Sequence, residues 1–164
     1  MAVRLGRSAE ASIEIDAPID EVWALVSDVT RVGEYSVECR SCEWMGDDAA
    51  PRTGARFRGR NRRNTSRWTR ICEVVDVDAP NRFVWRTLPT RVLPDSTEWR
   101  FELAETGGRT QLTESFQVLK IPALYDRMFA LMLPQHRDRT PDLQADLQRI
   151  KQRIEAASVA ATKD

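Results

Sequence analysis

The chain has 164 residues, 41% hydrophobic and 30% charged, a composition that fits one folded domain and excludes a disordered chain. Its 25 Lys and Arg balance 25 Asp and Glu, so there is no overall charge to draw it to nucleic acid or to an anionic membrane. No apolar run is long enough to cross a bilayer, and three cysteines behind a start with Arg4, Arg7 and no apolar leader predict free thiols in a reducing cytoplasm.

In chain order, Ala9, Ala11, Ile13 and Ile15 alternate with Glu10, Ser12, Glu14 and Asp16, the period of a strand with one covered face. Ala17-Pro18 ends it, with Pro18 suited to the first helical position and Asp20 and Glu21 to the positive end of a helix. Val22, Trp23, Leu25 and Val26 give that helix its apolar side, and Asp28 can cap a second short helix reaching Tyr35. Residues 37–45 read as a strand with both faces mixed, followed by turn residues from Gly46 to Gly54.

In the next strand Arg56, Arg58, Arg60 and Arg62 share one face and Phe57, Gly59 and Asn61 the other. Trp68, Cys72 and Val74 follow on one face, with Arg70 between them; Phe83 and Trp85 point inward on the strand after. Thr97, Trp99, Phe101 and Leu103 alternate with Glu98, Arg100 and Glu102. Thr106-Gly107-Gly108 turns the chain into a strand whose face carries Thr110, Leu112, Phe116, Val118 and also Glu114.

After Pro122 the period becomes helical. Leu124, Met128, Leu131 and Met132 fall on one side, with Tyr125 and Phe129 flanking, and Pro134 kinks or ends the segment. Thr140-Pro141-Asp142 reads as a fresh start, Thr140 as cap, and Leu143, Leu147, Ile150 and Ile154 form the stripe of a last helix that frays after Ala156. One domain over 1–164 is expected, ordered from about 8 to 156 with flexible tails. Strand, two short helices, about six strands and a long helix make an α+β fold.

The words Ala17-Pro18-Ile19-Asp20-Glu21-Val22-Trp23, Gly33-Glu34-Tyr35-Ser36-Val37-Glu38-Cys39 with Cys42-Glu43-Trp44, Gly54 to Arg62 with Trp68, and Ser96-Thr97-Glu98-Trp99-Arg100-Phe101 carry a resemblance. Over nearly its whole length the chain resembles the START-like, helix-grip (SRPBCC, polyketide cyclase/dehydrase-like) superfamily, especially its small bacterial single-domain members. The resemblance implies a curved antiparallel sheet of about seven strands under a long, kinked C-terminal helix, with a cavity between them. It fixes no substrate, since such folds serve binders, cyclases, dehydratases and chaperone-associated modules.

The strand faces aim Phe57, Trp68, Trp85, Trp99 and Phe116 at the helix, around Gly59. Large rings on a concave sheet either line an apolar pocket or interlock as a filled core, and the sequence leaves both open. Tyr35, Trp44, Phe129 and Met132 join them as candidate ligand contacts, with Asn61, Arg70 and Glu114 as polar ones. Arg70 and Glu114 each interrupt an apolar face, so each needs a partner or solvent. They either meet in the cavity, where Glu114 is the one candidate for an acid catalyst, or form a structural pair, or are turned outward by a bulge.

Cys39 and Cys42 have the spacing of half a zinc site or a redox pair. On a regular strand they point to opposite faces, so they read as small packed hydrophobes, and neither metal nor cofactor is expected. With His136 the only histidine and no serine elbow, a hydrolase triad is not supported. The Arg56–Arg67 cluster reads as a solvated, salt-bridged face rather than a nucleic-acid site. Three functions are expected, in descending order: binding of a lipid, fatty acid or polyketide-like molecule; cyclase/dehydratase chemistry using a cavity carboxyl; and display of the arginine-rich face to an acidic protein. No nucleic acid, no membrane insertion, and a monomer or homodimer are the accompanying expectations.

Overall fold

A computed structural model of the chain describes residues 3–163. Seven strands form one antiparallel sheet: β1 (Ser8–Ile15), β2 (Cys39–Trp44), β3 (Arg56–Arg63), β4 (Ser66–Asp78), β5 (Arg82–Thr87), β6 (Ser96–Thr106) and β7 (Arg109–Lys120). Their spatial order is β1-β7-β6-β5-β4-β3-β2. From β3 onward each strand pairs with its successor in the chain, because turns such as Asn64 (φ 52°) and Gly107-Gly108 (φ 62° and 77°) adopt the left-handed backbone tight reversals need. β1 instead joins the far side of β7, so helix α1 (Ile19–Val26) and a 3-10 helix (Val29–Glu34) carry the chain across to β2.

The helical signals hold with small offsets. Pro18 is the cap residue of α1 rather than its first member. Asp28 caps the 3-10 helix, its carboxylate accepting from the Thr30 N–H at 3.0 Å. The C-terminal part is three pieces, not one kinked helix: α2 (Ala123–Met132), a 3-10 turn (Pro134–Arg137) and α3 (Thr140–Ala161). Pro134 makes the break, lacking the N–H that a continuing helix requires. The Asp138 carboxylate, not Thr140, receives an amide at the start of α3, from Thr140 at 2.9 Å. α3 stays helical through Ala161, beyond the expected fraying point at Ala156; of the tails, residues 1, 2 and 164 lie outside the described residues.

α3 packs against β1 and, more lightly, β7. Leu147, Ile150 and Ile154 pack into a solid core with Ile15, Val22, Val26, Phe83, Phe101 and Leu112. Each fully covered aliphatic chain there contributes about 1.5–3 kcal/mol. The other part of the interior, bounded by the first turns of α3 and by α2, is hollow. Hollow and filled core are therefore both present and adjoin, with Val26, Phe83 and Phe101 belonging to both.

The apolar side of α2 is a correction. Leu124, Leu131 and Met132 are 75%, 66% and 58% exposed, whereas Asp126 and Ala130 face inward. Asp126 fixes that orientation, accepting from the Leu5 N–H at 2.9 Å and pairing with Arg7 at 2.7 Å. A buried carboxylate with two partners outweighs an apolar stripe in deciding which side turns in.

Candidate functional site

The hollow half is a cavity of about 620 Å³. Its wall is aromatic because β5, β6 and β7 present their alternating large residues in register: Trp85 opposite Trp99, and Trp99 opposite Phe116. Trp85 and Trp99 stack nearly parallel with centroids 6.4 Å apart, and Phe116 lies 5.2 Å from Trp99. Phe57 and Trp68 continue the wall on β3 and β4, Tyr35 borders it, and from α2 come Phe129 and, at the solvent-exposed margin, Met132. Asn61, Arg70 and Glu114 also face the space.

Trp44 is the one expected contact that the structure keeps off the cavity wall. It packs edge-on against Phe57 at 5.7 Å, and Phe57 stands between it and the space.

Arg70 and Glu114 do not pair. Arg70 is claimed by Asp95, its Nη1 donating to the carboxylate and its Nη2 to the backbone carbonyl, both at 2.8 Å. Asp95 lies in the β5–β6 connection, where no periodicity marked it. Glu114 is 4% exposed and its Oε2 has no hydrogen-bond partner among the described residues. Burial, reinforced by the negative charge of Asp146, pushes its carboxyl well above the usual carboxylate range and so favours the protonated form.

A belt of charge from the helical side covers this wall. Glu38, just before β2, binds Arg139 at 2.6 Å and lies 2.9 Å from His136 Nε2. Burial alone would raise the Glu38 carboxyl, but Arg139 and His136 together hold it below its ordinary value. Arg139 also lays its guanidinium over Trp99, 4.8 Å from the ring centroid, and His136 stands edge-on to Trp68 at 6.0 Å. Asp142 pairs with Arg63 at 2.8 Å. Asp146 accepts the Val37 N–H at 2.7 Å, yet burial raises its carboxyl to about 7.

These belt residues escaped the sequence reading. Asp142 and Asp146 did leave a signal: each immediately precedes a stripe leucine, Leu143 or Leu147, and so sits at the stripe's margin. Glu38, His136 and Arg139 left none, because they meet only through the fold.

Cys39 and Cys42 are a second correction. The register of β2 against β3 slips between Cys39 and Ser41, and the extra residue, Arg40, puts both thiols on the cavity side. Among the described residues no group of three or more His, Cys, Asp or Glu side chains is placed to hold a metal ion.

The arginine-rich outer face is partly neutralised, two arginines to each glutamate. Arg58 and Arg60 share Glu43 at 3.1 and 2.9 Å, and Arg56 and Arg86 share Glu73 at 3.1 and 2.8 Å. Among the described residues no helix is long and apolar enough to cross a membrane.

A search of curated proteins found no significant match. Among solved structures, the polyketide-cyclase-like protein Cgl2372 of Corynebacterium glutamicum is 30% identical, with 95% of this chain and 85% of that one aligned at a TM-score of 0.50. A START superfamily protein of Mycobacterium smegmatis aligns over 93% of this chain and 99% of its own, at 16% identity and a TM-score of 0.63. The di-domain aromatase/cyclase BexL of the BE-7585A biosynthetic pathway aligns over 92% of this chain and 47% of its own, at 18% identity and a TM-score of 0.65. The family model described as "Polyketide cyclase / dehydrase and lipid transport" matches residues 7–155. With that match spanning nearly all of an α+β sheet-and-helix fold, the chain belongs to the polyketide cyclase/dehydrase and lipid transport family.

Proposed function

We propose that the protein binds a small molecule with an apolar, ring-rich or acyl body and a polar end, held between the aromatic wall and the first turns of α3. The observation that carries this reading is the Glu114 carboxyl. A buried carboxyl whose Oε2 has no partner among the described residues, set in an apolar wall beside an open volume, is a hydrogen-bonding group left for a guest. The volume lies within the ordinary range for ligand pockets, about 300–1,000 Å³. Trp85, Trp99 and Phe116 offer area at low entropic cost, and Arg139 and Asp146 offer polar groups at the far side. Family membership, and the likeness to BexL and to the START protein, agree with a small-molecule role.

Tryptophan emission reports occupancy directly, because Trp68, Trp85 and Trp99 border the space. Titration with anilinonaphthalene sulfonate should quench that emission and brighten the dye, and palmitate or a polycyclic aromatic polyketide should displace it. Gly59→Leu, which fills the floor of the cavity, should abolish the signal while unfolding stays cooperative. Unchanged emission and dye, together with native mass spectra showing no co-purified small molecule, overturn the proposal.

A second reading, cyclase or dehydratase chemistry, is favoured by one observation: Glu114 and Asp146 both border the cavity, where burial raises both carboxyls, that of Asp146 to about 7. Two carboxyls with separated proton affinities can act as acid and base on a bound chain. Turnover of a poly-β-ketone substrate that disappears in Glu114→Gln, with binding retained, selects this reading over simple binding. Display of the arginine face to an acidic protein is the weakest reading, because Arg56, Arg58, Arg60 and Arg86 already share carboxylate partners and the cavity has no part in it.

A further inference from the structure

Two sulfur atoms meet on the cavity wall where a regular strand would separate them. Cys39 lies opposite Asn61 and Ser41 opposite Arg60, so Arg40 is an extra residue in β2. One extra residue changes the parity of the strand, and Cys39 and Cys42 come to share a face. Their Sγ atoms are 3.4 Å apart and both border the cavity. Gly59, across the ladder, provides the space: a Cβ there would lie 3.3 Å from the Cys42 sulfur and 3.5 Å from that of Cys39. The bulge is pinned by Ser36, whose hydroxyl oxygen accepts the Cys39 N–H at 3.0 Å. Nothing in the ligand-binding reading needs these thiols, and their chemistry stands or falls independently of it.

We propose that Cys39 and Cys42 form a dithiol exchange site that closes to an internal disulfide on reaction with a low-molecular-weight disulfide admitted through the cavity. The Cys39 thiolate attacks one sulfur of the small disulfide; that sulfur–sulfur bond breaks, and the first thiolate leaves and takes up a proton. The Cys42 thiol gives up its proton and attacks the Cys39 sulfur of the mixed disulfide, expelling the second small thiolate, which is protonated in turn. Two protein thiols are oxidised and one small disulfide is reduced to two thiols, with no further oxidant. Bond formation needs the sulfurs to close by only about 1.4 Å.

The order of attack is set by the surroundings. The hydrogen bond between the two thiols lowers the proton affinity of Cys39 against the opposing effect of burial. The same bond, with burial, raises that of Cys42. Cys72 is buried and pushed up to about 12, which leaves it a bystander.

The test treats the reduced, folded protein with hydroxyethyl disulfide and tracks intact mass and free thiols. The wild type should become two hydrogens lighter, reversibly with dithiothreitol, and its three free thiols should fall to one. Alkylation after unfolding should place that one at Cys72. Cys42→Ser should stop at a stable mixed disulfide on Cys39, and Cys39→Ser should react about tenfold or more slowly. A wild type that remains unreacted, persists as the mixed disulfide, or links Cys72 overturns the proposal. The wild-type masses decide the matter even where a variant folds poorly.

Discussion

Glu114→Gln separates a buried neutral acid from a buried carboxylate by thermodynamics alone. Glu114 takes up its proton in the folded state at a pH where the unfolded chain, with a value of about 4.3, has lost it. The native state then holds more protons than the unfolded one, so stability is full below about pH 4.3 and falls as pH rises toward the folded value. The slope for one such group is about 1.4 kcal/mol per pH unit. Glutamine keeps the shape of the neutral acid but has no proton to lose. Urea unfolding monitored by tryptophan fluorescence, at half-unit steps upward from about pH 4.5, should show the variant gaining on the wild type at up to about that slope until the folded value is reached. Asp146 also titrates in this window and steepens both curves, so the difference between the proteins is the quantity to read. A difference that is flat in pH, or that runs in favour of the wild type as pH rises, refutes a protonated Glu114 and removes the acid from both functional readings.

The same geometry sets three further outcomes. Arg70→Ala strands the Asp95 carboxylate and its carbonyl, and should lower unfolding free energy by about 3 kcal/mol in denaturant titrations, with Asp95→Asn costing less. Glu38→Gln should cost about 3 kcal/mol at neutral pH by leaving Arg139 and His136 without a charge partner. Glu38 has a depressed proton affinity, so its contribution is present above about pH 4.3 and lost as pH falls through the folded value; thermal melts of variant and wild type should draw together on acidification below about pH 4.3. Gly59→Ala introduces a methyl within 3.3 Å of the Cys42 sulfur and should destabilise by about 1 kcal/mol in the same assay, a cost relieved by Cys42→Ala.

Much of this architecture is legible in residue order. The alternation from Thr97 to Leu103 fixes both the strand and its inward face, and the stripe from Leu143 to Ile154 fixes the helix above it. Because sheet faces are set directly by parity, the aromatic wall could be read without knowing the partners of any strand. What failed depended on departures from parity or on distant neighbours. Arg40 reverses the phase of β2, and an inserted residue leaves no mark in composition. Periodicity identified a side of α2 but not which side is covered; Asp126 decides that through Leu5 and Arg7, more than a hundred residues away. The partner of Arg70 lies in a connection with no repeating pattern, so a charge on an apolar face could be noticed but not paired.

The bulge at Arg40 does more than gather the thiols. β2 ends the sheet, and its outer backbone groups are the natural template on which a second molecule could add a strand. The extra residue interrupts that ladder after a single position, and the 3-10 helix presses on the Arg40 carbonyl so closely that only glycine fits at position 33. A strand of six residues, broken and covered in this way, offers little to a fibril or a swapped neighbour. Straightening it would lengthen the regular pairing and, in the same step, open the sheet to polymerisation.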